Sequence, residues 1–144
     1  MELAGRYNAG LKEFEKAFKG LEQGLLIDLS KYPAVEADLF KNGCIQKFEY
    51  CAELAWKLGK LLLKWQTGQD YISPKPVYRA MFSEKYIDED LCKNLLLTID
   101  DRNALSHIYK EELFESVLQE LPKHLNSFSA LLEIFKSKAL GDDQ

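Results

Sequence analysis

Nothing in this sequence is both long and apolar. No hydrophobic run approaches the roughly 20 residues of a membrane-spanning helix, and the opening MELAGRYNAG lacks the charged start and apolar middle of a secretory signal. Cysteine is scarce: Cys44, Cys51 and Cys92 are the only three, an odd number that does not make a disulfide framework. On a helix, seven residues separate Cys44 from Cys51 by about 10 Å, beyond disulfide reach. The three cysteines are therefore read as small core residues, and the chain as cytoplasmic. Histidine is limited to His107 and His124, and neither these nor the cysteines have the close-paired spacing of zinc sites. No metal or cofactor is expected, and His124 is expected on a helix surface. Positive charge is not in excess either: 19 Lys and Arg stand against 23 Asp and Glu, a net charge of -4. That excludes a protein that clings everywhere to nucleic acid, because non-specific affinity comes mainly from phosphate neutralisation. Any RNA contact must be local. Candidates are Lys41, Lys47, Lys57, Lys60 and Lys64, with Arg79 beyond them, although a solvated helix face is the plainer reading of each.

The 144 residues, 47% hydrophobic and 29% charged, fit one globular domain, residues 1–144, able to bury roughly 68–70% of its unfolded surface. Period-3.6 patterning dominates the chain. Tyr7, Leu11, Phe14, Phe18, Leu21 and Leu25 predict a helix over about 3–27. SKYPAVEAD makes a connection. Phe40, Cys44, Phe48, Cys51, Ala55, Leu58, Leu62 and Trp65 predict a second helix over 36–66. Ile45, Ala52, Trp56 and Leu63 broaden its apolar stripe, which marks it as the central one. QTGQDYISPKP reads as a loop, with Pro74 or Pro76 suited to the first turn of a short helix through VYRAMFSE. Asp88 can cap a fourth helix. Phe114, Leu118, Leu121, Leu125, Phe128, Leu132 and Phe135 mark the last, with a kink or break expected just before Pro122. With no strand pattern and no repeat, the fold class is all-α, an antiparallel bundle of four to five helices.

One stretch departs from ordinary helix composition. RNALSHIY, residues 102–109, sets weak helix formers and hydrogen-bonding side chains into what otherwise reads as an amphipathic helix near its start. Asn103 is placed to end one helix or cap the next, and such a junction offers unpaired N–H groups and polar side chains to a cleft. The plain alternative is a cap at Asn103, an ion pair from Arg102 to Asp100 or Asp101, and a surface His107. Glu49 and Glu53, one turn apart on the second helix, are placed to pair with Arg102 and hold its fork; a structural role suits them better than a catalytic one.

Arg, Asn immediately after it, His five residues from the Arg, and Tyr two beyond the His form a pattern that resembles the HEPN signature. KFEYCAELAWKLGKLLL on the second helix is similar to the signature of the HEPN branch described as nucleotidyltransferase substrate-binding proteins. LKEFEKAFKGLEQGL and PKPVYRAMFSE sit where that branch has them. The resemblance implies a helical bundle that forms a two-fold homodimer and works beside a small nucleotidyltransferase as toxin and antitoxin. It also implies a metal-independent ribonuclease acting on tRNA or mRNA. In it His107 is the acid/base, Arg102 the phosphate clamp and Asn103 an orienting group, and the partner AMPylates Tyr109. The alternative is a non-catalytic substrate-binding subunit of a two-component nucleotidyltransferase.

Overall fold

Apolar positions recurring at steps of three and four build the helices. The computed structural model describes residues 2–107 and 111–140. Among these it contains α1 (Leu3–Leu25), α2 (Ala34–Thr67), α3 (Pro74–Ser83), α4 (Glu89–His107) and α5 (Glu111–Leu140), with a 3₁₀ turn at Leu29–Lys31 and no strand. The fold is an all-α bundle.

Local chemistry sets most of the ends. α1 stops two residues earlier than its periodicity predicts, because the Leu26 and Ile27 N–H groups donate to Gln23 and Gly24, three residues back, and wind the chain tighter. The Asp28 carboxylate then accepts from both the amide and the hydroxyl of Ser30, which turns the chain towards α2. α2 ends at Gly68, whose φ of 79° is left-handed and whose N–H donates to the Lys64 carbonyl. Pro74 occupies the first position of α3, where its missing N–H costs nothing. Asp88 caps α4 as expected, its Oδ1 accepting from the Leu91 amide at 2.8 Å, with Glu89 and Asp90 in the first turn.

One expectation about ends is narrowed and another corrected. α5 does not break at Pro122 but runs through it as one helix. Val117, Leu121, His124 and Phe128, all buried on either side of the proline, hold the helix in place. The polar motif, moreover, does not open the last helix. Arg102 and Asn103 lie well inside α4, which continues to His107, so Asn103 neither ends a helix nor caps one. The run of helix formers Leu95, Leu96 and Leu97 ahead of the motif carries the winding through it.

α2 is the central element, contacting each of the other four helices and the 3₁₀ turn. Its buried face combines Phe48, Leu58, Leu62 and Leu63 with the small residues Cys51, Ala52, Ala55 and Gly59. On one side α1 and α5 close an aromatic core over it. Phe14 meets Phe128 and Phe135 edge to face at 6.2 and 5.7 Å. The buried Tyr7 hydroxyl donates to the Phe135 carbonyl at 2.7 Å, and burial pushes its phenol well above the ordinary range. All three cysteines are free and buried. Burial pushes the Cys51 thiol up to about 12 and raises Cys44 and Cys92 as well.

Two glycines of α2 differ in what surrounds them. A Cβ on Gly59 would stand 2.9 Å from Met81 Sδ and 3.0 Å from Val77 Cγ1, whereas one on Gly43 would meet nothing within 4 Å. Gly43→Ala is therefore expected to raise unfolding stability by up to about 1 kcal/mol through helix propensity. Gly59→Ala is expected to lose about 1–3 kcal/mol to overpacking, less that same gain. Chemical denaturation of the two variants checks the opposite signs.

Candidate functional site

The end of α4 is tied to both of its neighbours by consecutive residues. Arg102 turns towards α2, where its Nη2 meets Glu53 Oε2 at 2.6 Å. The same carboxylate accepts from the Trp56 indole at 3.3 Å and pairs through Oε1 with Lys57 Nζ at 3.0 Å. One half-buried acid thus holds two cations and an indole. Burial raises the Glu53 pKa, but hydrogen bonds from Lys57 and Trp56 and the charge of Arg102 outweigh it and leave the carboxyl below its usual range.

Asp101 turns the other way, towards α5. Its Oδ2 lies 2.6 Å from His124 Nε2. His124 is only 2% exposed and stacks on Phe48 with ring centroids 5.1 Å apart and an interplanar angle of 15°. This corrects the expected surface position. Its Nδ1 is buried without a hydrogen-bond partner, so Asp101 supplies the imidazole's single polar contact in the described structure. The spacing was readable: residue 124 falls three after Leu121 and four before Phe128, on the buried stripe of α5.

Of the expected site residues, Arg102 and Glu53 come together. Glu49, one turn earlier on α2, is half-buried and forms no ion pair among the described residues. Asn103 is exposed, and its carbonyl accepts from the Ser106 hydroxyl at 2.8 Å. The plain alternative fails for Arg102: Asp100 pairs instead with Lys75 at 2.5 Å, and Asp101 with His124. The backbone of His107 closes α4, while its side chain, like all of Tyr109, lies outside the described residues. No group of three or more metal-ligating side chains occurs among the described residues. No helix among them is long and apolar enough to cross a membrane.

Residues 9–137 match the family described as nucleotidyltransferase substrate binding protein like. The chain belongs to that family. Among solved structures, a Thermus thermophilus protein is 25% identical, with a TM-score of 0.71 over 88% of this chain and 98% of that one. A tri-AMPylated Shewanella oneidensis HEPN toxin in complex with MNT antitoxin is 17% identical, with a TM-score of 0.71 over 95% and 98% of the two chains. The toxin–antitoxin pair MntA–HpeT gives 16% identity and a TM-score of 0.74 over 91% and 97%. No curated protein matches the chain. The resemblance to the nucleotidyltransferase substrate-binding branch is thus borne out, and the fold is one also seen in HEPN toxins.

Two outcomes follow from the geometry. Because its folded pKa is depressed, Glu53 contributes stability that is present above its unfolded pKa and lost as pH falls through the folded value. Glu53→Gln should accordingly flatten the loss of stability below about pH 4.5, as read from denaturation midpoints across an acid series. Asp101→Ala should cost about 1–3 kcal/mol, because it strands a buried imidazole, whereas Asp100→Ala, at an exposed pair, should cost under about 1 kcal/mol.

Proposed function

We propose that this chain is the HEPN-like component of a toxin–antitoxin pair: a metal-independent ribonuclease acting on tRNA or mRNA, neutralised by a minimal nucleotidyltransferase that AMPylates Tyr109. The observation that carries the reading is the complete Arg102, Asn103, His107 and Tyr109 set on a chain of this family, with the arginine fork oriented by Glu53 at 2.6 Å. The fold shared with an AMPylated HEPN toxin supports the regulatory half.

In this reading a ribose 2'-oxygen attacks the adjacent phosphorus as its proton passes to a neutral His107. The bond from phosphorus to the 5'-oxygen breaks, and a protonated histidine gives that oxygen its proton. One histidine does not hold both states at once, so the second comes from the partner across a two-fold axis, in a homodimer whose two motifs face one groove. Arg102 gathers the phosphate oxygens as charge builds on them, two N–H groups at a time. AMP transferred from ATP to the Tyr109 hydroxyl, with pyrophosphate leaving, sets a phosphodiester charge and an adenine at the groove. Its charge acts over a Debye length of about 8 Å.

A second reading is favoured by one observation. The Arg102 guanidinium is already engaged by a carboxylate, as suits a non-catalytic substrate-binding subunit, a reading that the family description also suits.

Expression of the chain alone separates the two. A ribonuclease arrests growth and degrades RNA. His107→Ala is expected to abolish both while leaving the thermal melt unchanged, and Arg102→Lys should also fail because an ammonium lacks the two-pronged fork. EDTA should change nothing; loss of cleavage on chelation overturns the metal-independent step, and intact RNA throughout favours the second reading.

With the partner nucleotidyltransferase, ATP and magnesium, the mass should rise by whole adenylate units and cleavage should stop. Tyr109→Phe should lose the mass gain and keep the cleavage, and a Phe variant that still gains mass rules Tyr109 out as the switch.

A further inference from the structure

Glu53, Lys57, Lys60 and Lys64 follow one another along α2 at steps of four, three and four, which places them on a single face of the helix. From Glu53 to Lys64 that face runs roughly 17 Å at about 1.5 Å per residue. It begins at the proposed phosphate clamp, because Arg102 and Lys57 hold opposite oxygens of the Glu53 carboxylate. It ends in a cavity of about 370 Å³ between α1 and α2, walled by Lys57, Lys60, Lys64 and Arg6 over a floor that includes Leu58 and Leu61.

Two acids, Glu13 and Asp70, also line this cavity. Asp70 is taken up by Lys60 at 2.8 Å, and the Lys60 ammonium donates as well to the Tyr71 carbonyl. Arg6 and Lys64, both exposed, form no ion pair among the described residues. The other lysines of α2 are placed differently. Lys41 pairs with Glu115 on α5, and Lys47 lies by Gly20 farther up the bundle.

On a chain of net charge -4, four cations here face two lining acids, and Arg6 and Lys64 are the two without an ion pair among the described residues, on a face continuous with the residue expected to grip the scissile phosphate. We propose that the groove between α1 and α2 is an RNA-binding track: the single strand held at Arg102 continues over Lys57 and lays its next phosphates on Lys64 and Arg6. The inference rests on the ribonuclease reading and names where that enzyme holds its substrate away from the cut. A single mononucleotide does not account for cations spread along the whole face, whereas a strand with a charge at every residue does. The half-apolar floor gives its sugars and bases a surface to lie on.

The test is RNA binding by the full chain carrying His107→Ala, read as fluorescence anisotropy of a labelled single-stranded oligoribonucleotide across a potassium chloride series. Arg6→Glu with Lys64→Glu should weaken binding by at least about tenfold. It should also make the slope of log affinity against log salt shallower by about 1.4, for two phosphate contacts at roughly 0.7 each. The control is Lys93→Glu, on α4, which does not touch α1 among the described residues; it should change affinity less than about twofold. Arg6→Gln with Lys64→Gln, which adds no new acid, should move affinity and slope in the same direction, and thermal melts of all variants confirm folding. Equal weakening by the track reversal and the control, or no weakening, overturns the track while RNA cleavage by the unsubstituted chain leaves the ribonuclease reading standing. ATP binding as tightly as the oligonucleotide, with the same sensitivity to Arg6 and Lys64, would assign the groove to a mononucleotide instead. An unsubstituted chain that neither binds nor cuts RNA removes both.

Discussion

Every other helix of this protein leans on α2. A segment of 34 residues that contacts all four remaining helices has to be apolar around most of its circumference and narrow where the neighbours come closest. The sequence meets both demands by alternating bulky and small side chains. Phe48, Leu58 and Leu62 fill volume, while Cys51, Ala52, Ala55 and Gly59 let α3 and the aromatic side of the bundle approach. Packing at interior density then fixes the positions of α4 and α5, and with them the polar motif that α4 carries.

The polar contacts at the end of α4 are small in number and unequal in energy. Arg102 and Glu53 are each about a third exposed or less, and a pair in that setting adds little net stability. Its consequence is orientation, since the carboxylate fixes where the guanidinium points. Asp101 and His124 are another matter. The imidazole is buried against Phe48, so its one hydrogen bond has no water to replace it. Two successive residues of α4 thus do different work, one setting the helix against α5 and the next aiming a cation along α2.

How much of this was legible in the sequence depends on the residue. Stripes such as Tyr7, Phe14, Phe18 and Leu21 announced their helices because burial and period coincide. The Asp88 cap and the first-turn Pro74 were equally plain, being local chemistry. Arg102 with Glu53 was readable as a charge pair, though Glu49 was an equally good candidate on spacing, and only the packing of α4 on α2 chose between them. Pro122 suggested a break that α5 does not make, because tertiary contacts on both sides override a local breaker. His124 misled for the opposite reason: its polarity suggested the surface while its register on α5 put it in the core, and the acid that makes this tolerable lies 23 residues away. The track along α2 was half visible, since Lys57, Lys60 and Lys64 stood out in the sequence, but Arg6 joins them only through the docking of α1.

The three free thiols have a use that none of their individual contacts suggests. Alkylation requires a thiolate, and burial, which pushes the Cys51 thiol up to about 12, keeps that form scarce at neutral pH. The cysteines are also spread through the bundle, two of them at different seams. Cys44 lies against Gly24 of α1, Cys51 is enclosed in the middle of α2, and Cys92 of α4 donates to the Tyr78 carbonyl of α3. Their labelling rates are consequently a native set of clocks, each timing how often the packing around one thiol opens, without a single engineered probe.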